Sequence, residues 1–179
     1  MTAPEYIQLK AFARIDGAKL ACLWVVSFAC YVGGLSRPSL TLVSLVLAVL
    51  TPFVSARMLR HFRDDALEGA ISLGRGWGYV VFLFLYASLL FAAAQFVYFA
   101  YLDKGFFAGA LSQLLTSPEN AAALSQAGLA SMMTEALGAL ATMRPIDLVL
   151  NILTTNLLIG CIVGLPVALA MKRDRVQKI

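Results

Sequence analysis

The chain has 179 residues, 60% of them hydrophobic and 13% charged, and its mean hydropathy is +0.82, whereas a soluble domain is about 45–50% apolar and about 25% charged. That balance excludes an ordinary water-soluble domain. The net charge of +4 does not indicate nucleic-acid binding, because the basic residues flank apolar segments, and four spans of about 20 apolar residues plus loops take up nearly the whole chain.

Residues 1–16 carry Lys10 and Arg14 ahead of an apolar stretch that is long for a signal peptide and lacks a small-x-small exit, so it reads as a retained anchor. The first predicted span covers residues 18–35, with Lys19 near enough to its start to reach the headgroups. Ser36, Arg37, Pro38 and Ser39 form a turn that makes the first two spans an antiparallel hairpin. The second span, 40–58, contains Pro52, which removes a backbone hydrogen bond and predicts a bend. A polar connector follows at 59–76. The third span, 77–102, is the most aromatic, with Trp77 and Tyr79 at one end and Tyr98 and Tyr101 at the other, where interfacial rings are expected.

Residues 103–144 are rich in alanine, leucine and methionine and sparse in charge, which predicts short helices rather than a span or a disordered linker. Phe107, Leu111, Leu114 and Leu115 recur at helical spacing, suiting a segment that lies on the membrane surface or over the helix ends. Ser117 is the expected cap of a second short helix, followed by Pro118 and Glu119, and Gly128 divides that helix from a third at 129–141. The fourth span, 145–171, opens on Pro145 with Asp147 in its first turn. The expected fold is therefore all-α, a single polytopic membrane domain with four transmembrane helices and a helical segment between the third and fourth.

Lysine and arginine accumulate on the cytoplasmic face of membrane proteins. With four spans, one side holds Lys10, Arg14, Lys19, Arg57, Arg60, Arg63, Arg75, Lys172, Arg173, Arg175 and Lys178, and the other holds Arg37, Lys104 and Arg144. Both termini and the 59–76 connector are then expected in the cytoplasm, with 103–144 on the opposite side.

Few residues suit catalysis. His61 is the only histidine and sits among arginines, which favours a solvated position over a general base. No cluster of metal ligands is evident, and no cofactor or metal is expected. Cys22, Cys30 and Cys161 lie in apolar segments and read as small packing residues. Asp16, Lys19, Asp103 and Asp147 fall near predicted span ends, so no buried charge pair is expected to couple an ion.

The deepest polar side chains are Gln95, Asn151, Thr154, Thr155 and Asn156, for which hydrogen bonds between helices or a substrate path are the alternatives. Asn156, Gly160, Gly164 and Ala168 recur every four residues along the fourth helix, and Gly160 with Gly164 allows close backbone approach. In the first span Ala29, Cys30, Gly33 and Gly34 offer a similar face. Each face suits packing within the chain or a partner subunit.

The connector has the most distinctive pattern. Arg60, Arg63, Asp64, Asp65 and Glu68 are followed by Gly69, Ser72, Gly74, Gly76 and Gly78. The glycines suggest a tight turn, and the arginines and acids suggest either an internal ion-pair network or a site for a partner or lipid phosphate.

Arg63, Asp64, Gly69, Ile71, Ser72 and Gly74 match in order the motif R-[DE]-x(4)-G-x-[IL]-[ST]-x-G, and in this the chain resembles domain-of-unknown-function family 4199, small four-span proteins of the bacterial inner membrane. Tyr98, Tyr101 and Asp103, the helical segment after them and the basic tail extend the resemblance over most of the chain. Leu73 stands where an aromatic is common and Lys104 where proline often follows the acid. The resemblance implies genes lying near membrane glycosyltransferases that use polyprenyl phosphate, and so an envelope role by association.

The expected function is a non-enzymatic membrane accessory or scaffold subunit that contacts membrane lipids and another membrane protein, or forms a homo-oligomer. The alternative is a small oligomeric transporter or channel with Gln95, Asn151 and Asn156 along its path. An enzyme using Asp64, Asp65 and Glu68 lacks an evident nucleophile or metal partner.

Overall fold

The computed structural model describes residues 2–173; Arg175 and Lys178, assigned above to the basic side, lie outside the described residues. Seven α-helices follow one another: α1 (Ala3–Gly34), α2 (Pro38–Ala66), α3 (Leu73–Val97), α4 (Phe106–Thr116), α5 (Pro118–Gln126), α6 (Ala130–Thr142) and α7 (Pro145–Met171). Four of them, α1, α2, α3 with its π-helical extension, and α7, are long and apolar enough to cross a membrane. Helices suit this solvent because each satisfies its own backbone hydrogen bonds. The chain is an all-α polytopic membrane protein.

The limits of α1 and of the connector depart from the sequence reading, while the third span starts at Leu73 and ends, as expected, at Leu102. α1 starts at Ala3, far ahead of residue 18, because the Thr2 amide donates to Glu5 Oε2 at 2.8 Å, Pro4 sits in the first turn, and no breaker intervenes before Gly17. At about 1.5 Å per residue it exceeds a hydrocarbon core of about 30 Å. Its extra turns bury Leu9 and Ala13. The 59–76 connector is likewise mostly helical, since α2 continues to Ala66, held by Arg60–Asp64 at 3.6 Å and His61–Asp65 at 2.9 Å, each one turn apart. The non-helical link is only residues 67–72. At the far end of α3 the last turn widens into a π-helix, Tyr98–Leu102, and the Asp103 amide donates to the Tyr98 carbonyl.

The helices lie side by side in the order α2, α1, α3, α7, and α2 meets α7 less extensively than the other neighbours meet. α3 is the most enclosed. Tyr79, Val80, Leu83, Phe84 and Ala87 from it are buried, together with Leu20 and Ala21 of α1. The small residues of α7 face α3. A Cβ on Gly160 would meet Phe84 Cβ and Cγ at 2.5 Å, one on Gly164 would meet Trp77 Cδ1 at 3.1 Å, and Gly76 lies against Ala168. In α1, Gly34 lies against Thr41 and Gly33 against Leu40, which lets the α1–α2 hairpin close. The two helices are further joined by Trp24 Nε1 donating to Thr51 Oγ1 at 3.1 Å and Ser27 Oγ donating to the Ser44 carbonyl at 3.1 Å. Such bonds contribute about 0.6 kcal/mol each on average.

Residues 106–142 form three helices in which no residue is buried. Ser117 does not cap α5 with its side chain; its hydroxyl donates to the Leu114 carbonyl at 2.8 Å, a bond available because the α4 carbonyls end there. Asp103 organises the start of this segment, its carboxylate accepting from Tyr98 Oη and from the amides of Gly105 and Phe107. Gly105 and Gly128 have φ of 84° and 69°, conformations that glycine adopts without steric cost.

Gly160→Ala is expected to force α3 and α7 apart and cost about 1–3 kcal/mol by overpacking. Gly78→Ala, whose Cβ meets nothing within 4 Å, should be neutral or gain about 0.5–1 kcal/mol of helix propensity. Thermal unfolding of the two variants in detergent reads the difference; equal stabilities would remove the close approach at Gly160 as a determinant of the fold.

Candidate functional site

The connector motif sits where α2 ends, α3 begins and α7 terminates. Arg63 is 8% exposed. Its guanidinium donates from Nε and Nη2 to the two oxygens of Asp64, at 2.8 and 3.2 Å, and from Nη1 to the Met171 carbonyl at 3.1 Å. A helix C-terminus leaves carbonyls without intrahelical partners and carries partial negative charge, so a guanidinium satisfies both demands. The Arg63 carbonyl accepts from the amides of Leu67 and Gly69, a helix-ending turn with Glu68 and Gly69 at φ of 56° and 82°. Ile71 then exchanges two backbone hydrogen bonds with Arg173, at 2.9 and 3.2 Å. Ser72 begins α3 through its carbonyl, which accepts from Gly76 N, not through its hydroxyl.

The motif residues thus divide by place. Arg63, Asp64 and Gly69 are engaged within the chain; Arg60 is exposed on the rim; Ser72 and Gly74 are exposed beside a cavity. Of the glycines expected to form the turn, only Gly69 does so. Gly74, Gly76 and Gly78 are helical because α3 already starts at Leu73, and Gly76 serves contact with α7.

Beside the turn lies a cavity of about 500 Å³ bordered by Glu5, Gln8, Glu68, Ser72, Arg75 and Arg173. Arg75 donates to Glu5 Oε1 at 3.3 Å and Gln8 Oε1 at 3.2 Å, and its guanidinium lies 5.9 Å from the Phe62 ring centroid. Its Nε is buried with no hydrogen-bond partner among the described residues. The border presents two acids and two arginines, an arrangement able to hold a polar group that carries both donors and acceptors.

A second cluster lies deeper. Asp16 is 4% exposed, and its Oδ2 accepts from Tyr79 Oη at 2.5 Å while Oδ1 accepts from Lys19 Nζ at 2.8 Å. Tyr79 stacks on Phe62 with ring centroids 4.8 Å apart. Asp16 is enclosed, whereas the Lys19 side chain is 61% exposed, so the two do not form a buried charge pair. Once α1 starts at Ala3, Asp16 is no longer at a helix end, and the helix turns it inward while the Lys19 stem carries its ammonium outward.

Of the deeper polar residues, Gln95 lies apart, whereas Asn151, Thr154 and Thr155 border one pocket on α7. Gln95 is 2% exposed with Oε1 unpartnered among the described residues. Asn151, Thr154 and Thr155 are exposed on α7, and Asn156 borders an apolar groove. No side-chain hydrogen bond from Asn151 or Asn156 occurs among the described residues, so these amides do not join neighbouring helices. His61 is exposed and paired with Asp65. Among the described residues there is no group of three or more potential metal ligands.

Sequence reasoning missed Glu5, Gln8, Tyr79 and the Asp16 carboxylate as members of these clusters. One signal was present: Leu9, Ala13, Asp16, Leu20 and Trp24 recur at helical spacing, and all five are buried.

Among known proteins, the family model described as "Protein of unknown function (DUF4199)" matches residues 16–173. No curated protein and no solved structure gives a match.

Arg63→Leu should strip the Met171 carbonyl and Asp64 of a charged donor, costing about 1.5–3 kcal/mol and raising amide exchange in the last turn of α7. Tyr79→Phe, which removes a donor to a buried carboxylate, should cost about 1–3 kcal/mol, with Phe82→Leu as a control for general loosening of α3. Wild-type unfolding temperatures for both site variants would show that neither contact holds helices together.

Proposed function

This chain belongs to the DUF4199 family of proteins of unknown function, and on that footing we propose that it is a non-enzymatic accessory or scaffold subunit of the bacterial inner membrane, with both termini in the cytoplasm. Its partner is another membrane protein, for which a glycosyltransferase acting on polyprenyl phosphate is the candidate, or a membrane lipid.

The observation that carries the reading is the uncovered helical segment α4–α6. None of its residues is buried, and Leu129, Met132 and Met143 are exposed large apolar side chains on or beside α6. Although Phe107 touches Tyr31 and Phe99, three amphipathic helices without a fully buried residue present apolar surface in need of a cover, and methionine adapts to varied contacts. The connector end supports the same reading from the other side, because Arg63 and Asp64 are held in internal contacts and leave the exposed basic residues, such as Arg57 and Arg60, as a charged rim. Concentration of lysine and arginine on that side supports its cytoplasmic placement.

A small oligomeric transporter or channel is the second reading. Asn156, bordering an intramembrane groove without a partner, favours it. Gln95 is enclosed and Asn151 is exposed on α7, so a shared path would have to form between copies.

A photo-cross-linking residue at Met132 is expected to trap one recurring membrane protein or a second copy in intact membranes, and deletion of residues 106–142 to abolish that complex; a lone monomer in mild detergent with no cross-link refutes the subunit reading. Reporter fusions near Arg63 and Pro118 should report opposite compartments. If reconstituted protein moves a solute and Asn156→Leu stops the flux while leaving folding intact, the transporter reading replaces it.

A further inference from the structure

α2 and α7 meet near the connector, where Arg63 holds the Met171 carbonyl and Leu59 approaches Gly76 beside Ala168. Farther along the two helices, residues 44–53 of α2 and 156–163 of α7 border a groove of about 690 Å³. Its back wall is aromatic. Trp24 meets Phe84 and Phe91 edge-on, with centroids 5.3 and 5.8 Å apart, and Phe28 meets Phe91 at 5.9 Å. On the rims, Phe53 is 66% and Ile159 44% exposed.

We propose that this groove is a binding site for one hydrocarbon chain of a membrane lipid, with the headgroup outside it. Size and polarity select that occupant. The volume lies within the roughly 300–1,000 Å³ of ligand sites, whereas a spanning helix about 10 Å across and about 30 Å long fills on the order of 2,000 Å³. No bordering residue is charged, so a phosphate or ammonium has no counter-ion there. Of the bordering hydroxyls, Thr51 is engaged with Trp24 and Ser44 with Ser27, which leaves the Tyr31 hydroxyl and the Asn156 amide without a hydrogen bond among the described residues. A water chain would need several polar partners and finds almost none. A recess of this kind, open toward lipid, is filled by the solvent that wets it, and that solvent is hydrocarbon. Occupancy of the groove does not depend on what covers α4–α6.

The chain has two tryptophans, so Trp77→Phe leaves Trp24, only 9% exposed, as the sole indole reporter at the back of the groove. In bilayer nanodiscs made of phospholipids brominated on the acyl chain, Trp24 should lose most of its emission relative to unbrominated lipid. Ala48→Phe from the α2 side, and separately Val163→Phe from the α7 side, should restore it by filling the groove. Native mass spectrometry of the unfilled protein should show one retained lipid per chain, a readout that does not depend on either filler folding. The proposal is overturned if Trp24 in the unfilled protein is not quenched, if quenching survives in both folded fillers, or if Phe53→Cys cross-links two copies through the rim while Trp24 stays unquenched.

Discussion

Arg63 joins the two helices that would otherwise be the free edges of the bundle. It stands in the last turn of α2 and spans to the final carbonyl of α7, while Asp64 neutralises it and fixes its plane. A guanidinium suits this position because its donors lie in one rigid fork, so one side chain serves a carboxylate and a carbonyl together. The Ile71–Arg173 backbone pair reinforces the same junction. Ring closure therefore happens at the connector end, and the order α2, α1, α3, α7 is drawn together there.

That one-sided closure has consequences along the membrane normal. Between α3 and α7 contact continues for several turns, because Gly160, Gly164 and Ala168 let the helices approach. Between α2 and α7 contact is less extensive, and the helices leave a recess backed by Trp24, Phe84 and Phe91. In lipid there is no hydrophobic drive to close such a recess, since hydrocarbon tails are as apolar as the side chains. Helix association in this solvent depends on close packing and polar bonds, and the groove lies where both are lacking.

The two polar clusters near the connector differ in character. Asp16, Tyr79 and Lys19 satisfy one another, which ties α1 to α3. Arg75 is only partly satisfied, its Nε lacking a partner among the described residues, and it borders open volume. The first reads as part of the scaffold and the second as a surface able to exchange partners. At the opposite end Asp103 performs a similar organising task for the chain leaving α3, accepting from three donors within a few residues.

The sequence by itself determined the number of spans, the short helices between α3 and α7, the divisions at Pro118 and Gly128, and the small-residue face of α7. All of these follow from local hydropathy, helical period and breaker residues, which need no knowledge of neighbours. It did not determine where α1 begins, because the stretch before residue 18 is polar enough to end a span yet has no helix breaker between Pro4 in the first turn and Gly17. Nor did it reveal that Asp16 meets Tyr79, that Arg63 reaches Met171, or that Arg75 reaches Glu5. Those pairs are separated by tens of residues, and only the packing of α1 and α7 against α3 decides which polar groups meet and which face lipid. The physical reason is that a charged side chain near a helix end has two ways to be satisfied, by water or by a distant partner, and tertiary structure alone chooses between them.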